Sequence, residues 1–202
     1  MTNYNAWNRA IANYFTQNVP QGTKIYLSLD DDVLQLIGDD FEEECTEQSW
    51  CENFCKAVKS QVVSGTKIEI DSIAGIDEED YPKGVAFLGL MVLAANEMAR
   101  DMEKDDERKI SDKNYFTRFR EILKLPNDGQ TRPLGLRINA GEEAPEIELW
   151  SRWNKWLLKQ GFIPTAQEGA IQRNRYINYP LSQSLLRKAD KDRLRKVFTE
   201  KK

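Results

Sequence analysis

The sequence contains no histidine. Histidine is the commonest general base and the commonest metal ligand in proteins. Its absence excludes Ser-His-Asp triads, Cys-His pairs, zinc fingers built on cysteine and histidine, and zinc helices of the His-x-x-Glu type. Carboxylate, lysine, tyrosine and cysteine side chains remain as carriers of catalytic chemistry. The composition therefore argues against most classes of enzyme.

Cysteine is scarce, with Cys45, Cys51 and Cys55 as the only three. An odd number of cysteines, together with a start that has no basic segment and no apolar run, predicts reduced thiols, a cytoplasmic location and no secretory signal. A helix predicted over residues 41–63 would place the three thiols within an arc of about 120°. Their C-x5-C-x3-C spacing departs from the closer pairs of structural zinc sites, so we expect buried structural thiols and no metal.

Long hydrophobic runs and phosphate-binding glycine motifs are also lacking. The longest nearly apolar stretch, residues 85–95, is far shorter than a membrane-spanning helix, which needs about 20 residues. Neither G-x-G-x-x-G nor G-x-x-x-x-G-K-[ST] occurs. Acidic runs such as residues 30–32 lack a calcium-loop pattern and are typical of helix starts. We therefore expect no membrane contact and no cofactor.

Charge is distributed unevenly over the 202 residues, whose formal net charge is −4. Residues 150–202 contain 13 Lys and Arg against 4 Asp and Glu, a net charge of +9. Residues 1–149 contain 16 against 29, a net charge of −13. An acidic body with a basic tail indicates an anionic partner for the tail. Attraction between the two halves, or a solvated helix face, explains the same pattern.

Hydrophobic periodicity predicts a mainly α fold. Helices are predicted over residues 5–17, 30–38, 41–63, 115–125 and 145–160, with Asp30 as the N-cap of the second, and a strand over residues 24–29. Residues 82–103 are apolar on nearly every face, which predicts a buried central helix. Residues 126–145 carry three prolines and three glycines, which is typical of a linker. We therefore predict an acidic helical body over 1–125, a linker over 126–143 and a second, basic unit over 144–202.

The second unit resembles part of a winged-helix domain. Its predicted order is a helix, a short strand at 162–163, a loop, a strand at 170–176 and a basic helix at 181–200. This order implies a helix, a β-hairpin and a helix, with cations on the hairpin and the last helix, as a phosphate-binding surface requires. The residues predicted to bind nucleic acid are Arg173, Arg175, Arg187, Lys188, Arg193 and Arg195.

Three tryptophans, Trp150, Trp153 and Trp156, fall on one broad face of the helix predicted at 145–160. Tryptophans at helical spacing commonly pack into a core. Tryptophan is also over-represented at the centres of protein interfaces. The sequence leaves a core position and a partner-binding face open for these three residues.

Two short segments resemble uncharacterised bacterial proteins associated with conflict and anti-phage defence. They are NAWNRAIA at residues 5–12 and YPLSQSLLRKAD at residues 179–190. The resemblance implies a bacterial setting in which this region precedes further domains, and it implies no activity and no catalytic residue. The basic ending at residues 198–202 fits a piece of a longer protein and a natural terminus equally.

The sequence favours a non-catalytic interaction or adaptor module of a bacterial cytoplasmic assembly, whose partner is a protein or a set of downstream domains. The first alternative is a DNA-binding winged-helix protein that uses the basic C-terminal unit. The second is a metal-dependent hydrolase or nuclease built on Asp and Glu, which needs at least two carboxylates converging with a lysine. No catalytic residue is predicted.

Overall fold

The computed structural model describes residues 3–42, 44–104, 110–166 and 177–184. These residues form seven α-helices and little strand, which confirms the prediction of a mainly α protein. The helices are α1 (Tyr4–Thr16), α2 (Asp31–Asp39), α3 (Trp50–Val62), α4 (Val85–Lys104), α5 (Asp112–Ile122), α6 (Glu146–Lys159) and α7 (Asn178–Gln183). The strands are β1 (Lys24–Ile25), β2 (Val63–Ser64), β3 (Lys67–Ile68) and β4 (Ile163–Pro164).

Side-chain caps decide where several helices begin. The Asp30 carboxylate accepts a hydrogen bond from the Val33 amide at 2.9 Å, which confirms Asp30 as the N-cap of α2. Ser49 and Ser111 cap α3 and α5 in the same way. Each cap satisfies an amide of the first turn that has no partner within its own helix.

The helix predicted over residues 41–63 is wrong in its first part, because α3 begins only at Trp50. Ser49 supplies a cap that starts the helix there, and Phe41 is instead drawn toward Trp7, whose ring centroid lies 4.9 Å away. Cys45 therefore lies outside α3, and the predicted helical arc of three thiols does not form.

Helix α4 is the central element, as its nearly continuous apolar sequence predicts. It packs against α1, α3, α5, α6 and α7, and residues 85–95 are buried throughout. Gly89 lets Leu29, in the segment that follows β1, approach α4 closely, because a Cβ added at Gly89 would lie 2.9 Å from Leu29 Cδ2. Among the described ranges, no helix combines the length and apolar character needed to cross a bilayer.

Strand β4 has a partner that the sequence did not predict. It pairs in parallel with β1, in the register Lys24 to Ile163, and the hairpin of the winged-helix interpretation stays a prediction. Gly161, at φ +84°, turns the chain after α6, and its carbonyl accepts the Gly22 amide at 2.8 Å. The predicted strand at 170–176 and most of the predicted basic helix lie outside the described residues. The strand predicted over 24–29 is shorter because the Leu27 amide bonds to the Gln183 side chain.

Both sides of the predicted linker contribute to one hydrophobic cluster. It contains Trp7, Phe54 and Phe87 from the predicted body together with Trp150 and Trp153 from the predicted second unit. The division at residues 126–143 stays a prediction about organisation, and the described residues on its two sides share a core.

Candidate functional site

The residues predicted to bind nucleic acid lie outside the described part of the chain. They are Arg173, Arg175, Arg187, Lys188, Arg193 and Arg195. The described part reaches residue 184 and includes α7, which contains no Lys or Arg and packs against α4. Buried Gln183 accepts a hydrogen bond from the Leu27 amide at 2.8 Å. The basic sequence from residue 185 onward therefore follows a helix that is docked on the body.

The three tryptophans of α6 lie inside the protein. Trp150 and Trp153 are fully buried, and Trp156 is 6% exposed. Trp153 and Trp156 stack with ring centroids 5.2 Å apart, and Trp150 stacks on Tyr179 at 5.9 Å. They occupy the core position that the sequence left open, while the partner-binding face stays a prediction.

The outer side of α6 borders a shallow cleft of about 280 Å³. Arg152 forms an ion pair with Glu148, and Lys159 forms one with Asp80 across the cleft. Lys155 also lines the cleft and forms no ion pair with any residue in the described ranges. Three cations against two carboxylates give this surface a net positive charge.

A second cleft, of about 590 Å³, lies between α2, α3, α4 and α5. It is lined by Cys51 and Cys55, which are free, half-buried and one turn apart on α3. Asp31 of α2 lines the same cleft as the two thiols. The contact with Cys55, burial and the negative charge of Asp31 together raise the pKa of the Cys51 thiol.

Ion pairs between helices surround the two thiols. Arg100 of α4 contacts Asp31 of α2 at 3.1 Å, and Lys124 contacts Glu52 of α3 at 3.4 Å. These pairs are largely exposed, and such pairs contribute about 0.2–1 kcal/mol each. Their main effect is to bring charged groups to the rim of a cleft whose wall carries sulfur.

A buried ionic cluster lies beneath the loop at 126–145. Glu146, 1% exposed, forms an ion pair with Arg132, which is 9% exposed. The Arg132 guanidinium lies over the Phe116 ring, 4.6 Å from its centroid. Asp112, the first residue of α5, interacts electrostatically with both members of the pair. This cluster was not predicted from the sequence, in which the only signal for it is an arginine within a segment rich in proline and glycine.

The cluster carries two carboxylates against one guanidinium. Burial raises the pKa of Glu146 and of Asp112, and the charge of Arg132 acts in the opposite direction in both cases. None of these three side chains lines the α6 cleft or the thiol cleft. The buried ionic cluster connects the loop at 126–145 to α5 and α6, which is a structural role.

Larger clusters of metal-binding side chains are not found in the described ranges. Within residues 3–42, 44–104, 110–166 and 177–184, no group of three or more cysteine or carboxylate side chains could hold a metal ion. The hydrolase alternative, which requires two carboxylates with a lysine, stays a prediction.

No family model, no curated protein and no solved structure matches the chain. The resemblance to defence-associated bacterial proteins stays a prediction.

Proposed function

We propose that the protein is a non-catalytic interaction module, in which an acidic folded body presents the basic C-terminal unit to an acidic partner. The distribution of charge carries this proposal. The described residues contain 17 Lys and Arg against 25 Asp and Glu, a net charge of −8, and the remaining residues carry +4. The last described helix, α7, packs against α4, and the basic sequence follows it along the chain.

Internal ion pairing supports the proposal. Most cations of the described body contact a carboxylate of the same body, as Arg9 does with Asp77 at 2.9 Å. Cations in such pairs offer little to a partner. Lys155 on the outer side of α6 is one of several lysines without such a pair in the described ranges, and the sequence after α7 adds 8 Lys and Arg against 3 Asp and Glu.

The cleft on α6 indicates the character of a protein partner. Its cations lie beside Ile76, whose side chain is 48% exposed. An acidic face with an apolar residue would match both features, because interfaces combine apolar contact with complementary charge. The setting we propose is a bacterial cytoplasmic assembly, with anti-phage defence as the context that the resemblance implies.

The test uses two probes, a labelled acidic peptide and labelled duplex DNA. Each is titrated with wild-type protein and with an Arg187→Glu/Lys188→Glu variant at about 50 mM and about 200 mM salt. The matched control is Lys24→Glu/Lys113→Glu, which makes the same change of charge at two exposed sites on the body. We expect the peptide to bind wild type and control, and to bind the C-terminal variant far more weakly.

Two outcomes decide against the adaptor interpretation. Binding of DNA but not of peptide, lost in an Arg173→Glu/Arg175→Glu variant, would favour the DNA-binding alternative. If the protein neutralised five or six phosphates of the DNA, the slope of log affinity against log salt would be about −5. If neither probe binds at the lower salt, the basic C-terminal unit is not a binding element.

A further inference from the structure

The pair of thiols in the cleft between α2, α3, α4 and α5 has no part in the proposed interaction function. We propose that Cys51 and Cys55 bind one soft monovalent ion of the Cu(I) class, held between their two sulfur atoms. The sequence predicts no metal at the C-x5-C-x3-C spacing, and the structure leaves Cys45 outside α3 while Cys51 and Cys55 remain on it and line one cleft.

Helix geometry sets the spacing of the two sulfur atoms. Residues four positions apart lie on one face of a helix with Cβ atoms about 5–6 Å apart. A disulfide needs Cβ atoms about 3.5–4.5 Å apart, so an intact helix opposes direct oxidation of this pair. Two metal–sulfur bonds of about 2.3 Å, the length found for zinc, span the wider gap. Cys51 and Cys55 lie four positions apart on α3 and line the same cleft, so both sulfur atoms belong to one side of the helix.

The number and softness of the donors select the ion. Structural zinc takes four ligands in a tetrahedron, and iron–sulfur clusters also take four protein ligands. The described residues form no group of three or more metal-binding side chains at this cleft. Thiolate ligands favour Cu(I) over hard ions such as magnesium and calcium, and Cu(I) accepts two thiolates as a complete linear set.

The cleft also suits entry of a cation. Its charged lining consists of Asp31, Glu52, Glu97, Glu121, Arg100, Arg118 and Lys124. Four carboxylates against three cations leave one excess negative charge, which attracts a cation to the cleft. Both thiols are half-buried, so the ion reaches them without unfolding of α3.

Binding is a ligand exchange without electron transfer. Each thiol gives up its proton as its sulfur bonds to the ion, so one Cu(I) and two thiols yield a bis-thiolate complex of charge −1 and two protons. Both protons pass to solvent.

The decisive experiment is an anaerobic competition for Cu(I) against a coloured chelator such as bathocuproine disulfonate. We expect wild type to withdraw one ion per chain, and Cys51→Ser and Cys55→Ser to withdraw none. Cys45→Ser is the matched control, because the Cys45 sulfur lies outside α3, 3.7 Å from the Glu47 carbonyl oxygen. Failure of fully reduced wild type to withdraw copper, or equal loss in the Cys45→Ser control, would overturn the proposal.

A second measurement needs only wild-type protein and is therefore independent of how the variants fold. Native protein is treated with iodoacetamide with and without one equivalent of Cu(I), and the alkylated cysteines are located by mass spectrometry. We expect copper to protect Cys51 and Cys55 and to leave the alkylation of Cys45 unchanged. Equal alkylation of Cys51 and Cys55 in both samples contradicts the assignment.

Discussion

The tryptophans of α1 and α3 and those of α6 are buried to a similar degree, yet their polar atoms differ. Trp7 donates its indole N–H to Asn53 Oδ1 at 2.8 Å, and Trp50 donates to Asp39 Oδ1 at 3.0 Å. The indole N–H groups of the three α6 tryptophans have no hydrogen-bond partner among the described residues. Because each buried polar group left unpaired costs about 1–3 kcal/mol, α6 depends more heavily on apolar contact.

The same two regions also differ in the polar groups that join their elements. Around α1 the joining groups are neutral amides: Asn8 Nδ2 donates to the Pro82 carbonyl at 2.8 Å, and Asn8 Oδ1 accepts the Ala86 amide at 3.0 Å. Around α6 they are the charges of Arg132 and Glu146. An amide junction keeps its strength as the pH changes, whereas a carboxylate junction does not.

Removing the cation of the α6 cluster should have the largest effect. Arg132→Met leaves the buried carboxylate of Glu146 without its partner, and breaking such a pair costs about 3–5 kcal/mol. Urea unfolding at neutral pH measures the change. The control is Arg137→Met, whose pair with Asp128 is substantially exposed and should cost less than about 1 kcal/mol. Equal losses in the two variants would show that burial of the pair is unimportant.

Displacing the loop that carries Arg132 should have the next largest effect. Gly135 has φ +93°, and an added Cβ would lie 1.9 Å from the Ile68 carbonyl oxygen. Gly129, with φ +74° and no atom within 4 Å of an added Cβ, is the matched control in the same loop. We expect Gly135→Ala to cost about 1–3 kcal/mol more than Gly129→Ala, as an overpacked site does. Thermal unfolding tests this, and equal melting temperatures would contradict it.

The amide junction is tested by Asn8→Ala. The variant leaves the Pro82 carbonyl and the Ala86 amide without their partner, at a cost of about 1–3 kcal/mol. The control is Asn5→Ala, an exposed position on the same helix. The loss should be the same at acidic and neutral pH, because no group of this junction titrates. If the stability lost on Asn8→Ala changed with pH, the amide junction around α1 would not differ from the carboxylate junction around α6 in its pH dependence.

The smallest expected effect is a change in pH dependence on Glu146→Gln. Burial raises the pKa of Glu146 from its ordinary value of 4.5. The folded state therefore binds this proton more tightly than the unfolded state, and the ionised carboxylate lowers stability above its folded pKa. That penalty disappears as the pH falls below the unfolded value. The stability of the variant minus that of wild type should decrease between about pH 8 and about pH 4. A constant difference in chemical unfolding would refute the raised pKa.

Much of the helical framework follows from the sequence alone. Periodicity predicts helices over 5–17 and 145–160, and α1 (Tyr4–Thr16) and α6 (Glu146–Lys159) occupy these positions within one residue at each end. Asp30 is recognisable as a cap, and the apolar sequence around residues 85–95 is recognisable as a central helix. These features are local, since a helix is built from contacts three and four residues apart.

Tertiary structure alone decided the contacts between distant segments. Ile163 of β4 pairs with Lys24 of β1, a residue far away in the sequence. Arg132 and Glu146 meet because the loop between them folds back over α5. Cys51 and Cys55 line a cleft only because α2, α4 and α5 close around α3. Local periodicity holds no information on which distant surfaces meet, because that choice depends on how all the buried faces of the chain fit together.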